Sequence, residues 1–198
     1  DDATQVYCIV CHDLVLNKTY KYGPQNINEA LKHLLSADAL IGHNIMFYDI
    51  PLLAKLYDID LKCKVIDTLV CTRLIWPKEK LAEMDYSYMQ QVPPRLKGSA
   101  SLKAWGYRLA DHKIDFKDFS HYTEEMLEYC VQDVNVTKKL LLHIIKQNYP
   151  QPPLAIEHEF AYYINKQIRA GIPFDIDGAI DLVDELRTKQ KGLEGELK

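Results

Sequence analysis

Hydrophobic and polar residues change period several times along the chain, and each change predicts an element. Val6 to Cys11 is a β-branched run that predicts a strand; Thr19 to Tyr22 predicts a second, with Asn17-Lys18 near the turn. Ala30, Leu31, Leu34 and Leu35 repeat at helical spacing, with Asn28 placed to cap that helix. Ala39-Leu40-Ile41 predicts a short buried strand that ends at Gly42, and His43-Asn44 follow in a loop. Asp49-Ile50-Pro51 lead into helical positions at Leu52, Leu53 and Leu56, where Pro is acceptable because first-turn N–H groups have no helical partner. Lys64-Val65-Ile66 predicts another strand, closed by Asp67-Thr68, with a helix from Leu69 to Trp76. Pro77 to Gly98 keeps no single period and holds Pro93-Pro94, which predicts a surface loop.

The second half reads as helical. Ser101 is placed to cap a helix from Leu102 to Leu109. Thr123 caps another, with Glu124 and Glu125 at its positive end and apolar positions from Met126 and Leu127 through Ile144 and Ile145. Pro150-Gln151-Pro152-Pro153 marks a break. Beyond it Ile156, Phe160, Ile164 and Ile168 share a helical face that stops at Gly171. A last helix runs through Ile180, Val183 and Leu186, and its pattern persists at Leu193 and Leu197, so we expect it to continue past Lys198. There are no internal repeats and no low-complexity stretch. Strands alternating with helices indicate an α/β domain over residues 1–150, and residues 151–198 read as the helical start of something else.

A length of 198 residues allows one domain, or one plus part of another. With 47% hydrophobic and 26% charged residues, the composition excludes wholesale disorder, collagen and coiled coil. No apolar run approaches the roughly 20 residues of a membrane helix, and Asp1-Asp2 does not open a signal peptide. Lys and Arg number 24 against 28 Asp and Glu, a net charge of −4, which excludes coating nucleic acid by charge alone. A metal-dependent nuclease stays open, because its centre needs carboxylates. The odd set Cys8, Cys11, Cys63, Cys71 and Cys130 argues against a secreted disulfide framework and fits a reducing cytoplasm. Cys8 and Cys11, at i and i+3 of a strand, face opposite sides, so they read as small buried apolar residues and not as a zinc pair.

Three features carry candidate chemistry. Asn44 to Asp49 lies just past a strand's carboxyl end, where α/β proteins place ligands; Asp49 is read either as a ligand or as the cap of the following helix. Tyr129 and Asp133, at i and i+4, share a helical face bordered by Cys130, Val131 and Val134; the alternative is a solvated Asp beside a half-buried Tyr. Asp67-Thr68 follows a core strand, and Asp67 reads first as a helix cap. Two-metal hydrolysis of a phosphodiester holds ions about 3.5–4 Å apart between carboxylates, and magnesium prefers such hard oxygen ligands. A tyrosine hydroxyl can orient the attacking water, and an Asn at a loop tip can hydrogen-bond nucleic acid.

In that order these residues resemble a known family. Asn44-x-x-x-Tyr48-Asp49 is similar to the second motif of the proofreading 3'-5' exonucleases with four acidic residues, and Tyr129-x-x-x-Asp133 to their third, in its tyrosine form. His43-Asn44, Tyr48-Asp49-Ile50-Pro51, Ile66-Asp67-Thr68-Leu69-Val70, Ala104 to Leu109 and Gln132-Asp133-Val134 resemble the polymerases of short-tailed phages (the T-seven group), a branch of the DNA polymerase I family. Glu157 through Gly171-Ile172-Pro173-Phe174-Asp175 resembles the opening of their polymerase domain. The resemblance implies a ribonuclease-H-like mixed sheet flanked by helices and a proofreading 3'-5' exonuclease acting on single-stranded DNA 3' ends and primer-template. It implies two Mg2+ (or Mn2+) ions, with Asp49 and Asp133 as ligands, Tyr129 orienting the water, Asn44 and Tyr48 contacting substrate, and Asp67 in a supporting role. A processivity factor acting through a polymerase domain and the host cytoplasm of a phage belong to the same expectation; a membrane does not.

The departure from the family is at its first motif. D-x-E on the first strand supplies two of the four acidic residues, and no D-x-E occurs in this chain. Val6 to Cys11 matches the family's second strand. The first lies mid-sheet, so without it the sheet should split into a hairpin and a parallel pair, exposing N–H and C=O groups. We therefore expect a fragment short at both ends, with D-x-E encoded within about 15 residues upstream, or a strand from another polypeptide. Impaired activity of the 198 residues alone follows. The rival readings are an RNA 3'-end-trimming exonuclease on the same fold and a non-catalytic DNA-binding or scaffold remnant. Arg95, Lys97, Lys103 and Arg108 read as a solvated face, or as phosphate contacts.

Overall fold

A computed structural model describes residues 3–86, 92–111 and 116–196. In chain order the elements are β1 (Ile9–Asp13), β2 (Lys18–Tyr22), α1 (Ile27–Leu35), β3 (Ala39–Gly42), α2 (Asp49–Tyr57), β4 (Lys64–Asp67), α3 (Thr68–Ile75), α4 (Lys78–Tyr86), α5 (Leu102–Arg108), α6 (Glu124–Lys146), α7 (Gln151–Ala170) and α8 (Ile176–Glu196). The class is mixed α/β. Among the described residues, no helix is long and apolar enough to cross a membrane. The chain forms two compact units, Asp1–Asn165 and Lys166–Lys198, with the division inside α7.

The strands form two separate pairs. β1 and β2 are antiparallel, with Cys11 opposite Tyr20; β3 and β4 are parallel, with Ile41 opposite Ile66. This is the split into a hairpin and a parallel pair that the sequence leads one to expect. Each strand therefore has an edge that no described strand covers. As a consequence, among the described residues the only fully buried strand residue is Asp67, and apolar positions such as Val10, Leu40 and Val65 are only half-buried. Cys8 and Cys11 are likewise half-buried and not buried as the sequence suggests. Their divergence holds: the Cys8 thiol lies 3.5 Å from Cys130 on α6, and that of Cys11 lies 3.6 Å from His33 on α1.

Helix α6 is the spine of the first unit. The Thr123 hydroxyl accepts from the Met126 N–H and starts it, and Leu140 and Ile144 bury the same stripe. They pack with Cys71, Ile75, Trp76, Leu81 and Trp105 from α3, α4 and α5. Fully burying a residue such as Leu140 stabilises the fold by about 1.5–3 kcal/mol. A second cluster joins Ile27, Leu31 and Leu53, with Val6 and Ile9 against it. Polar contacts dock the hairpin on α6: Lys21 pairs with Glu128 at 2.6 Å, and Lys138 bonds His12 and Asn17.

Two sequence expectations are corrected here. Part of the loop expected from Pro77 to Gly98 is helix α4, whose inward positions are Leu81 and Asp85. A buried Asp counts as polar in any periodicity, so half of the stripe is invisible. Asn28 does not cap α1; the chain turns helical earlier, through a 3₁₀ turn at Pro24–Asn26, and Asn28 falls inside the first turn. Helix α3 ends as read, because Pro77 pushes Trp76 out of the helical region, to φ −129 and ψ 85.

The second unit is helix-rich. Asp175 caps α8 by accepting from the Gly178 N–H at 2.9 Å, and Ile176, Ile180, Val183, Leu186 and Leu193 along it are exposed.

Candidate active site

The site begins where β3 ends. At Gly42 the chain folds back so closely that a Cβ would lie 2.7 Å from the Ile45 Cβ, which only glycine permits. Asn44 then adopts the left-handed conformation, φ 65, one that Asn tolerates better than most residues. Its carbonyl accepts from the N–H groups of Phe47 and Tyr48, closing the turn into α2.

What holds this loop is Asp67 at the end of β4. The residue is fully buried. Its Oδ1 accepts from the N–H of Asn44 and of Leu69, each at 2.9 Å, and its Oδ2 from the N–H of Met46 at 3.1 Å. Asp67 is therefore the cap of α3, as the sequence suggested, and also a clamp on the Asn44 loop, which it did not. The Asp67 N–H donates to His158 Nε2 at 2.9 Å, and His158 Nδ1 donates to the Leu154 carbonyl at 2.7 Å, which fixes the tautomer. Asn165 donates to the Met46 carbonyl at 2.7 Å. Beside them the Thr68 hydroxyl donates to the Gly42 carbonyl, so His43 Nδ1, 2.9 Å from that hydroxyl, is the donor to it. His158 and Asn165 carry no local signal: each is one polar residue on a long helix, about a hundred residues from its partner.

Asp49 is the first residue of α2. The residue before it, Tyr48, is 48% exposed, and no side chain caps the helix. The alternative reading, Asp49 as a cap, is thus overturned; its carboxylate accepts from its own N–H instead. Asp49 reaches solvent as a residue, yet its carboxyl is crowded by protein. Lost hydration pushes its pKa up to about 6 from 3.8; its own backbone N–H opposes this, and the charges of Asp67 and Asp133 add to the rise. Asp133 comes from α6, at the other end of the sequence, and its Oδ1 is buried. Tyr129, one turn earlier on α6, sets its ring among Phe116 and Phe119, with centroids 5.8 and 5.9 Å away.

Two other sequence-read carboxylates, Asp67 and Asp133, thus bear on Asp49. Asp67 is committed to backbone N–H groups. Asp49 and Asp133 repel, a strain that a cation between them relieves. Among the described residues, no three His, Cys, Asp or Glu side chains are gathered to hold a metal ion. Two of the basic residues read around α5 are otherwise engaged. Arg108 is neither solvated nor available to phosphate: it is buried, with Nε and Nη2 on the Asp85 carboxylate at 2.8 and 2.7 Å. Lys97 lies over the Tyr86 ring, 4.0 Å from its centroid.

The DNA-directed DNA polymerase of Escherichia phage T7 is 30% identical to this chain, and that of Enterobacteria phage T3 is 29% identical. Each comparison covers 98% of this chain and 34% of the relative, so the chain spans about a third of the length of these curated relatives. A family model described as 3'-5' exonuclease matches residues 4–148, which takes in the Asn44 loop, Asp49, Asp67, Tyr129 and Asp133. With most of the chain inside that match, the protein belongs to the 3'-5' exonuclease family.

Proposed function

We propose that the chain is the proofreading 3'-5' exonuclease portion of a DNA-directed DNA polymerase and that it hydrolyses DNA 3' ends with divalent metal ions. The observation that carries this reading is that Asp133, from the distant helix α6, adds its charge to the rise in the Asp49 pKa, while no side chain, that of Asp49 included, caps α2. The match to phage polymerases supports it, and implies a ribonuclease-H-like fold with residues 151–198 opening a polymerase domain. DNA as substrate, a processivity factor on the polymerase part and residence in a host cytoplasm follow from the same reading.

The donor set fits Mg2+ or Mn2+. Both groups offer only hard oxygens, and an Asp49 pKa raised by lost hydration, with the charges of Asp67 and Asp133 adding to it, is a condition a divalent ion reverses. They amount to half of a two-ion site. Asp49 and Asp133 would hold the ions; when bound, these lower the pKa of a water and neutralise charge on the phosphate. The Tyr129 hydroxyl orients the water by one hydrogen bond, its ring held by Phe116 and Phe119. Asn44 and Tyr48 contact the 3'-terminal nucleotide, and Asp67 keeps the Asn44 loop in place.

Single-turnover degradation of 3'-labelled single-stranded DNA across a magnesium titration tests this, with the 198 residues and with a chain carrying a D-x-E segment upstream. The short chain should be nearly inactive. In the longer one, Asp133→Asn should abolish turnover. Tyr129→Phe keeps the ring and loses one positioning bond, so it should slow the reaction by roughly 10²–10³ without weakening metal binding. Parental rates in Asp133→Asn at any magnesium concentration would remove Asp133 from the metal site, and a fast Tyr129→Phe would make Tyr129 a packing residue.

A further inference from the structure

The thiols of Cys8 and Cys130 lie 3.5 Å apart, although the residues are 122 positions apart in the chain. Neither is in a disulfide, and both are half-buried and thus open in part to solvent. Two tethers hold them together. On one side the Tyr7 hydroxyl donates to the Ser120 carbonyl at 2.6 Å, and on the other Lys21 of β2 pairs with Glu128 of α6 at 2.6 Å. Cys8 stands one residue ahead of β1, outside the strand ladder, so its side chain can turn without breaking a strand pairing. A disulfide holds its sulfurs about 2.05 Å apart, which leaves about 1.5 Å to close. The hydrogen bond with Cys130 lowers the Cys8 pKa below the usual thiol value, against the opposing effect of burial. Other thiols are set differently. Cys71 is buried, and lost hydration pushes its pKa up to about 11. Cys11 faces His33, and lost hydration and the charge of Asp13 raise its pKa.

We propose that Cys8 and Cys130 are a redox-responsive thiol pair that closes to a disulfide by exchange with a low-molecular-weight disulfide such as glutathione disulfide. The Cys8 thiolate attacks one sulfur of that disulfide, forming a mixed disulfide and releasing one thiolate. Cys130 then gives up its proton and attacks the Cys8 sulfur, releasing the second. The two cysteines lose two electrons, the external disulfide is reduced to two thiols, and the two protons end on those thiols. In a reducing medium the pair stays open, and oxidising conditions close it, as in cytosolic disulfides that form transiently. Closed, it fastens the start of β1 to the turn of α6 that carries Tyr129, where the hairpin is otherwise docked by polar contacts such as Lys21 with Glu128. The pair stands apart from the exonuclease reading and uses none of its residues.

The test is equilibration of the 198-residue chain with glutathione disulfide under native conditions, followed by intact mass and peptide mapping. The parent should lose two of its five thiols, with Cys8 joined to Cys130, and dithiothreitol should restore all five. Cys130→Ser should instead keep one glutathione on Cys8, because the attacking thiol remains and the one that displaces glutathione is gone. Cys63→Ser should close as the parent does. The closed chain should unfold at a temperature several degrees above the reduced one, because the bond restricts a long loop of the unfolded chain. Five retained thiols, glutathione left on Cys8 of the parent, or a bond between any other cysteines would overturn the pair. A Cys8–Cys130 bond that fails to raise the unfolding temperature would overturn it too, since the thiols would then have met in a distorted chain and not in this fold.

Discussion

The Asp85–Arg108 pair allows a stability effect to be worked from geometry. Its side chains are 0% and 1% exposed, and Arg108 approaches bidentately through Nε at 2.8 Å and Nη2 at 2.7 Å. Asp85 also accepts from the Gly98 N–H at 2.8 Å, and Arg108 Nη1 donates to the Ser99 carbonyl at 2.8 Å. Asp85→Ala would leave a buried guanidinium without its carboxylate and a backbone N–H without its acceptor. Breaking such a pair costs about 3–5 kcal/mol, a large share of the 5–15 kcal/mol that holds a typical domain together. Arg108→Met strands the carboxylate instead, with a similar cost. Removing both charges strands neither, so Asp85→Leu combined with Arg108→Met should recover much of the loss. Urea denaturation followed by tryptophan fluorescence reads this directly, because Trp105 lies 4.9 Å from the Arg108 guanidinium. Single variants that cost under 1 kcal/mol, or a double variant that costs the sum of both, would refute the reasoning.

Two further outcomes follow from the site. Asp67→Asn replaces one acceptor oxygen with an N–H donor facing the Met46 N–H, so amide hydrogen exchange at Asn44 and Met46 should accelerate while α6 stays protected; unchanged exchange in the loop would mean Asp67 is only a helix cap. Because Asp49 binds its proton more tightly folded than unfolded, stability without divalent ions should fall as pH rises from about 4 through about 6. Asp49→Asn should escape that fall and exceed the parent at pH 7, by about 1 kcal/mol once solvent screening at this exposed residue is allowed for. An equal gap between variant and parent at pH 4 and pH 7, in paired thermal melts, would place Asp49 outside the repulsive field.

Local chemistry made part of this molecule legible in its sequence. β3 and its end at Gly42, the helix α6 with its Thr123 cap, the Ser101 cap of α5 and the Asp67 cap of α3 all depend on residues within four positions of one another, where period and capping geometry act. The split of the strands into a hairpin and a parallel pair was also foreseeable, from a family strand that no segment here matches. The motifs around Asn44, Asp49, Tyr129 and Asp133 could be read for the same reason: each is a short local pattern. Their convergence was expected from the family resemblance alone, not from any local pattern. Asp49 and Asp133 lie on helices far apart in the chain, and only the packing of α6 brings their charges to bear on each other. Helix α4 stayed hidden because its inward Asp85 reads as a surface residue until Arg108 is found opposite it. His158 under Asp67, and Cys130 beside Cys8, follow the same rule. A polar side chain takes its role from its partner, and tertiary packing chooses the partner when it lies distant in sequence.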